Sequence, residues 1–315
     1  MLDDYQNVAL HTVDWSGVAA RCTIDVINHH IDDLDELVST LAGAEIVVAM
    51  RERTPFDASL LERLFDLKLL ITTGMVNRSI DMDAARRLGI VVSGTPGGGT
   101  GAAELAFGLM LALARHIPDE TLRFRQRDPV WQMSVGMDLP GRTLGIVGFG
   151  RLGQQMAKYA KPFGMKVVAW SRSLTDELAA EHGVQRRAEL DALLSEADFV
   201  SLHVPLTPET MGMIGRRQFA LMKETAYLVN TARGPLVDET ALVDALKAGQ
   251  IQGAALDVFD REPVALDSPL RDLDNLIATP HVGYVTEDTY RTYFNGAVEA
   301  IEGWLDGTPV RVLNS

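Results

Sequence analysis

The chain holds one cysteine, Cys22. No intrachain disulfide can form, and such sparing use suits a reducing compartment. The amino terminus lacks the cationic stretch and apolar core of a secretory leader, and carries Asp3 and Asp4 instead. We therefore expect no signal peptide and a cytoplasmic location. Long apolar runs are also missing. The longest, residues 105–114, is too short to span a bilayer and reads as a buried helix. Positive charge is scarce: 29 Lys and Arg stand against 43 Asp and Glu, for a net charge of -14. That balance argues against nucleic acid or an anionic membrane as a partner. It leaves room for a small anion held by one local arginine. No internal repeat of fixed period is visible, and no metal site is expected.

What is present is apolar sequence in short runs. Of 315 residues 47% are apolar, enough for two domains with sizeable cores. Residues 44–50 and 67–72 read as strands. Residues 59–65 and 81–88 read as helices, the second stopped by Gly89. This β/α alternation predicts a parallel sheet. A glycine-rich stretch at 94–101 reads as a linker. A long apolar helix from Ala102 to about Arg115 follows, and Pro118 breaks its pattern. Alternation resumes over 141–287, with strands ending near Trp170, Leu202, Asn230, Phe259 and Thr279. A last helical pattern covers Tyr290 to Leu305 and stops at Gly307.

One of these strands runs straight into Gly148-Phe149-Gly150-Arg151-Leu152-Gly153, and a helical stretch begins behind it. This is G-x-G-x-x-G between strand and helix. The first glycine permits the tight turn, the second lets a pyrophosphate approach the backbone, and the third lets helix pack on strand. The helix N-terminus then faces the phosphates. All six residues are candidate dinucleotide contacts.

Three more strand-like runs each end in a residue of catalytic type: Arg233, Glu262 and His281. In a parallel sheet the C-terminal ends of the strands share one edge, and ligands bind there. The three can meet despite their distance in sequence, supplying an anion clamp, a carboxylate and a proton carrier.

With these motifs the chain resembles the D-isomer-specific 2-hydroxyacid dehydrogenases. The likeness covers nearly the whole sequence. It rests on Gly141 to Gly148, His203-Val204-Pro205-Leu206-Thr207, Asn230 to Asp238, Asp257-Val258-Phe259 with Glu262-Pro263, and Thr279-Pro280-His281. The resemblance implies an α/β fold of two doubly wound parallel-sheet domains. A Rossmann cofactor domain, 98–287, would be inserted into a discontinuous flavodoxin-like substrate domain, 1–97 plus 288–315, with a cleft between them. It implies reduction of a 2-oxo acid to a D-2-hydroxy acid with NAD(P)H, in the manner of glyoxylate or hydroxypyruvate reductases, by a homodimer. The dimer would join through the cofactor domain and an arm at 115–131. Relatives open with a full apolar strand, whereas here only Met1 and Leu2 precede the acidic pair, so the first strand is expected to be clipped.

The resemblance also assigns roles. Arg233 binds the 2-oxo acid: its planar guanidinium suits a carboxylate and the adjacent carbonyl. His281 is the acid/base, a group that exchanges protons near neutrality. Glu262 favours the imidazolium and holds its tautomer. Cofactor contacts extend to His203, Val204, Pro205 and Thr210, then to Thr231, Ala232, His281 and Gly283. Asp257, an acid in an apolar strand, needs either a structural partner or the cofactor's carboxamide. Gly74, Met75 and Val76 supply amides for the substrate carboxylate. Here the loop departs from the family's G-x-G-V-D-N-I-D: Gly74-Met75-Val76-Asn77-Arg78-Ser79-Ile80-Asp81 keeps only its first glycine and its Ile-Asp end. The glycines at 97–101 also differ and would leave a roomier pocket. Arg51 either reaches the cleft or lies on the surface.

The cofactor reading turns on the end of the second cofactor-domain strand. NAD enzymes of this fold carry an acid there for the ribose 2′-hydroxyl. This chain has Ser171 and Arg172, which suit a 2′-phosphate. NADP(H) is favoured, with NAD(H) the alternative. Two rivals stand beside this function. One is a formate- or phosphite-type dehydrogenase, against which Thr279-Pro280 before His281 counts. The other is a non-catalytic dinucleotide-sensing co-repressor, against which the intact trio counts.

Overall fold

Short buried runs form most of the strands, and every pairing between strands is parallel. The computed structural model describes residues 1–97 and 99–315; Gly98, part of the expected linker and pocket loop, lies outside them. The chain divides into two compact units, Met1–Gly99 with Val285–Ser315, and Thr100–Tyr284.

The larger unit holds β4 (Thr143–Val147), β5 (Lys166–Trp170), β6 (Gln185–Arg186), β7 (Phe199–Leu202), β8 (Tyr227–Asn230), β9 (Gly253–Leu256) and β10 (Leu276–Ala278). Their order is β10-β9-β8-β7-β4-β5-β6. Strand order reverses between β4 and its neighbours β5 and β7, which creates the crevice where such sheets bind ligands. Successive side chains of a strand face opposite sides. Ile146, Phe199 and Val229 therefore enter one core with the helices Gly101–Arg115 and Arg151–Ala160, while Val147, Val200 and Leu228 enter another with Leu190–Glu196 and Glu239–Lys247. At the opposite, N-terminal edge, Asp198 ties the start of β4 to the turn before β8. Its carboxylate accepts from the Thr143 N–H and from Lys223 Nζ, at 2.8 and 2.9 Å.

The smaller unit holds β1 (Ile46–Ala49), β2 (Leu69–Thr72) and β3 (Val91–Gly94), in that order. The Leu2 N–H donates to the Val48 carbonyl at 2.9 Å, so the initial residues lie alongside β1. The helix Glu287–Leu305, capped by Thr286, packs in this unit against Ala9–Thr12 and β3. No helix among the described residues is long and apolar enough to cross a membrane.

Several expectations shift. The strand expected to end near Phe259 stops at Leu256, which puts Asp257 just past it. The helix expected over 59–65 is only Ala58–Leu61, and Phe65 stands 92% exposed beyond it. Pro118 does not end a helix: His116, at φ 51°, closes Gly101–Arg115, and Pro118 sits in the first turn of Ile117–Arg125. Proline is tolerated there because first-turn N–H groups have no helical partner. The division expected at 287/288 falls at 284/285, where the Tyr284 ring packs on His281 within the larger unit. That expected at 97/98 falls at 99/100.

Candidate active site

Within the larger unit the candidates follow one another along the C-terminal edge of the sheet: His281 after β10, Glu262 after β9, Arg233 after β8, His203 after β7, the glycine-rich turn after β4, and Ser171 and Arg172 after β5.

His281 and Glu262 are paired, with Nδ1 and Oε2 2.6 Å apart. The other carboxylate oxygen accepts the Phe259 N–H at 2.9 Å, so both oxygens are held. The His281 backbone lies in the left-handed region at φ 53°, and its N–H donates to the Thr279 carbonyl at 3.0 Å. Because Nδ1 donates to the carboxylate, Nε2 is the ring atom that can exchange a proton.

Asp257 shapes this turn. It is 1% exposed, and its oxygens accept from Thr279 Oγ1 at 2.6 Å and from the Val282 and Gly283 N–H groups at 2.8 Å each. Burial pushes its carboxyl up; those three bonds, and the attraction of His281, pull it partly back. These contacts satisfy the carboxylate within the protein itself. Gly283, expected as a cofactor contact, packs here against Asp257 and Ala102.

Arg233 is half-buried, and its Nη1 donates to the Ala232 carbonyl at 2.7 Å. Asn230, fully buried at the end of β8, accepts the Ala232 N–H and donates to the Arg233 carbonyl, at 3.0 and 2.8 Å. Gly234 allows the next step. A Cβ there would lie 2.0 Å from the Phe259 carbonyl carbon and oxygen, so only glycine lets the Arg233 loop lie against the loop that leads to Glu262. Asn230 and Gly234 were missed as site residues. A polar residue closing an apolar strand was the signal for the first. Nothing in the sequence marks the second's close approach. Thr231 is buried, with its hydroxyl donating to the Ala102 carbonyl at 3.3 Å.

The glycine-rich turn fits a dinucleotide. A Cβ on Gly148, at φ 97°, would meet the His203 carbonyl at 2.6 Å, and one on Gly153 would meet the Gly148 oxygen at 2.1 Å. A Cβ on Gly150 would meet nothing within 4 Å. The first and third glycines are required by the protein's own packing, while the second opens outward. Gly150 caps the helix Arg151–Ala160 without a side-chain bond, which leaves the helix N-terminus to an anion. Phe149, by contrast, is buried, with its ring edge-on to His182 at 5.5 Å.

After β7, His203 Nε2 lies 2.8 Å from Ser201 Oγ, itself buried in the strand. Thr210 folds its own turn: its hydroxyl donates to the Pro205 carbonyl at 2.7 Å and accepts the Thr207 N–H at 2.8 Å. Val204 lies beside Gly148. Ser171 is half-buried and Arg172 exposed. Arg172's charge, after a Thr207 hydrogen bond, helps hold the Glu209 carboxyl below its usual range.

In the smaller unit, Asn77 turns inward. Its Nδ2 donates to the Arg51 carbonyl and to Thr72 Oγ1, at 2.7 and 2.9 Å, and its Oδ1 accepts the Ser79 N–H at 2.9 Å. The Gly74 N–H is engaged by Thr95 Oγ1 at 2.8 Å, while Met75 and Val76 are exposed. Arg51 lies beside this loop. Half-buried, it donates through Nη1 to the Thr73 carbonyl at 3.0 Å and covers Gly74.

Residues 107–283 match the family model for the D-isomer specific 2-hydroxyacid dehydrogenase NAD binding domain. The chain is 42% identical over 274 residues to a D-3-phosphoglycerate dehydrogenase of Methanocaldococcus jannaschii, covering 87% of this chain and 52% of that one. It is 38% identical over 282 residues to a hydroxypyruvate reductase of Thermotoga maritima, covering 88% and 90%. The solved structure of a phosphoglycerate oxidoreductase from Vibrio cholerae superposes with a TM-score of 0.92 at 34% identity, covering 97% and 98%. The chain spans about half the length of the phosphoglycerate dehydrogenases it matches first. It belongs to the D-isomer specific 2-hydroxyacid dehydrogenase family, and the larger unit carries that family's NAD binding domain.

Desolvation holds the His203 imidazole down to about 4, against an ordinary 6.5. Between those values the unfolded chain binds a proton that the folded one refuses, so stability falls as pH drops through that window. We expect His203→Asn to flatten this part of the stability curve in urea titrations. A variant with the wild-type slope would assign the acid sensitivity elsewhere.

Proposed function

We propose that this protein reduces a small 2-oxo acid to the D-2-hydroxy acid with a nicotinamide dinucleotide. The 2.6 Å pair of His281 and Glu262, on the same sheet edge as Arg233 and the glycine-rich turn, carries this reading. When bound, the cofactor supplies the hydride. Arg233 orients the substrate through its carboxylate and carbonyl. His281 Nε2 delivers the proton to the carbonyl oxygen, and Glu262 stabilises the imidazolium before transfer and fixes the tautomer. For the smaller unit we propose that the amides of Met75 and Val76 hold a carboxylate, the Gly74 amide being engaged by Thr95. The cofactor would lie along Gly148 to Gly153, with the backbone from His203 to Pro205 and the loop from Thr231 to Ala232 beside it. Relatives named hydroxypyruvate reductase and glyoxylate reductase favour substrates of that size. One cysteine suits the cytoplasm.

His281→Ala should lower the reduction rate ~100- to 10,000-fold while leaving cofactor affinity intact. Glu262→Gln should move the base-side limb of the pH–rate profile to lower pH, because the imidazolium loses its counter-charge. Steady-state rates over a panel of 2-oxo acids, with both reduced cofactors, measure this. An alanine variant within threefold of wild type would remove His281 from the chemistry. Unmoved limbs in the glutamine variant would remove Glu262.

NADPH should be preferred over NADH. Arg172 follows β5 where an acid would repel the 2′-phosphate, and Ser171 can hydrogen-bond it. A charge-assisted contact of this kind is worth about 1.5–3 kcal/mol, at least tenfold in affinity. Ionised Glu209 competes for Arg172, so we expect a preference of about tenfold that shrinks with salt. Ser171→Asp with Arg172→Ala should reverse it. A wild type that favours NADH in kcat/KM at matched ionic strength would refute the reading.

A second copy of the chain is the partner. The helix Ile117–Arg125 buries no residue, and Phe124, Trp131 and Val135 stand 72%, 78% and 93% exposed. The Phe124 and Trp131 rings meet at 6.5 Å, and large exposed apolar side chains set together in this way mark an interface. The helix that carries Phe124 also carries charges of both signs, Asp119 and Glu120 with Arg123 and Arg125, which suit a self-complementary face. Sedimentation equilibrium should give a dimer for the wild type and a folded monomer for Phe124→Asp with Trp131→Asp. A monomeric wild type would dismiss the dimer.

A further inference from the structure

His281 has a second neighbour besides Glu262. The Tyr284 ring lies with its centroid 5.5 Å from the imidazole centroid, and the two planes meet at 77°. A single hydrogen bond at Nδ1 fixes one ring atom. It leaves the imidazole able to tilt about the line to Oε2, which would swing Nε2 sideways. A second ring set edge-to-face blocks that tilt.

The tyrosine stands on a fixed support. Immediately before it, the Val282 and Gly283 N–H groups are both bound by buried Asp257, each at 2.8 Å. Gly283 itself packs on Ala102, where a Cβ would come within 3.3 Å. The backbone that carries Tyr284 is therefore pinned to the end of β9, as is the turn that carries His281. Asp257 and Glu262 are charged groups that act on His281, Glu262 through the bond at Nδ1.

We propose that Tyr284 is a positioning residue for the proton transfer assigned to His281, an inference that rests on the proposed function. Its ring, rather than its hydroxyl, holds Nε2 in the direction of the reacting carbonyl. Proton transfer requires heavy atoms within hydrogen-bond reach, and small misplacements lower rate more than binding.

The test compares Tyr284→Phe and Tyr284→Leu in the full-length protein. The phenylalanine variant should keep kcat within about twofold of wild type. The leucine variant should lose about tenfold in kcat, with KM for the 2-oxo acid and for the cofactor unchanged. Both limbs of its pH–rate profile should stay in place, because Glu262 and Asp257 remain. Proton NMR gives a readout independent of turnover. The His281 Nδ1 proton, assigned by its loss in His281→Ala, should be seen in wild type and Tyr284→Phe and be broadened by exchange in Tyr284→Leu. A leucine variant with wild-type kcat, a KM that rises as kcat falls, shifted pH limbs, a phenylalanine variant as slow as leucine, or an unbroadened proton in the leucine variant would each overturn the proposal. If no 2-oxo acid is turned over, or if His281→Ala stays active, the proposed function has failed instead. The NMR comparison still decides whether Tyr284 restrains the ring.

Discussion

A buried carboxylate with three donors sets the geometry around His281. Asp257 stands just past β9, yet its oxygens are bound by Thr279, Val282 and Gly283 from the turn after β10. Breaking those bonds would strand a desolvated acid, which is far costlier than the net gain of making them. The turn is thus locked in place, and it carries His281 in a left-handed conformation that a free loop would seldom adopt. Glu262 then needs only to meet a ring whose backbone is already set.

The same device recurs along the edge. Asn230 braces the Arg233 loop from the end of β8, and Ser201 holds the His203 ring from within β7. In each case a polar group at or near the end of an apolar strand fixes the loop beyond it. Glycines do the complementary work, since Gly234 and Gly148 let neighbouring strand-end loops lie closer than any side chain would permit. Polar braces and missing side chains together set the loop after β4 against that after β7, the loop after β8 against that after β9, and that after β9 against the turn after β10.

Much of this was legible in the sequence because the signals are local. Gly148, Gly150 and Gly153 follow an apolar run and precede a helix, and backbone sterics at such a junction demand that spacing. Arg233 and His281 were legible as polar residues closing apolar runs in a parallel sheet. Long-range geometry was not legible. The partners of Asp257 include backbone amides from 25 and 26 residues away, and no residue type announces an amide. Asn77 was read as a feature of the ligand loop, but its side chain turns inward to satisfy Arg51, Thr72 and Ser79. The packing of Tyr284 on His281, and the unit boundary that goes with it, depends on a turn whose path only folding defines.

The loop from Gly74 to Ser79 has a thermodynamic consequence. Thr95 binds its first amide, Arg51 lies across Gly74, and Asn77 anchors its far side through three hydrogen bonds. A segment restrained at both ends has surrendered its conformational entropy during folding rather than during binding. The carboxylate proposed for this loop would meet a surface already shaped, so its association would demand little ordering.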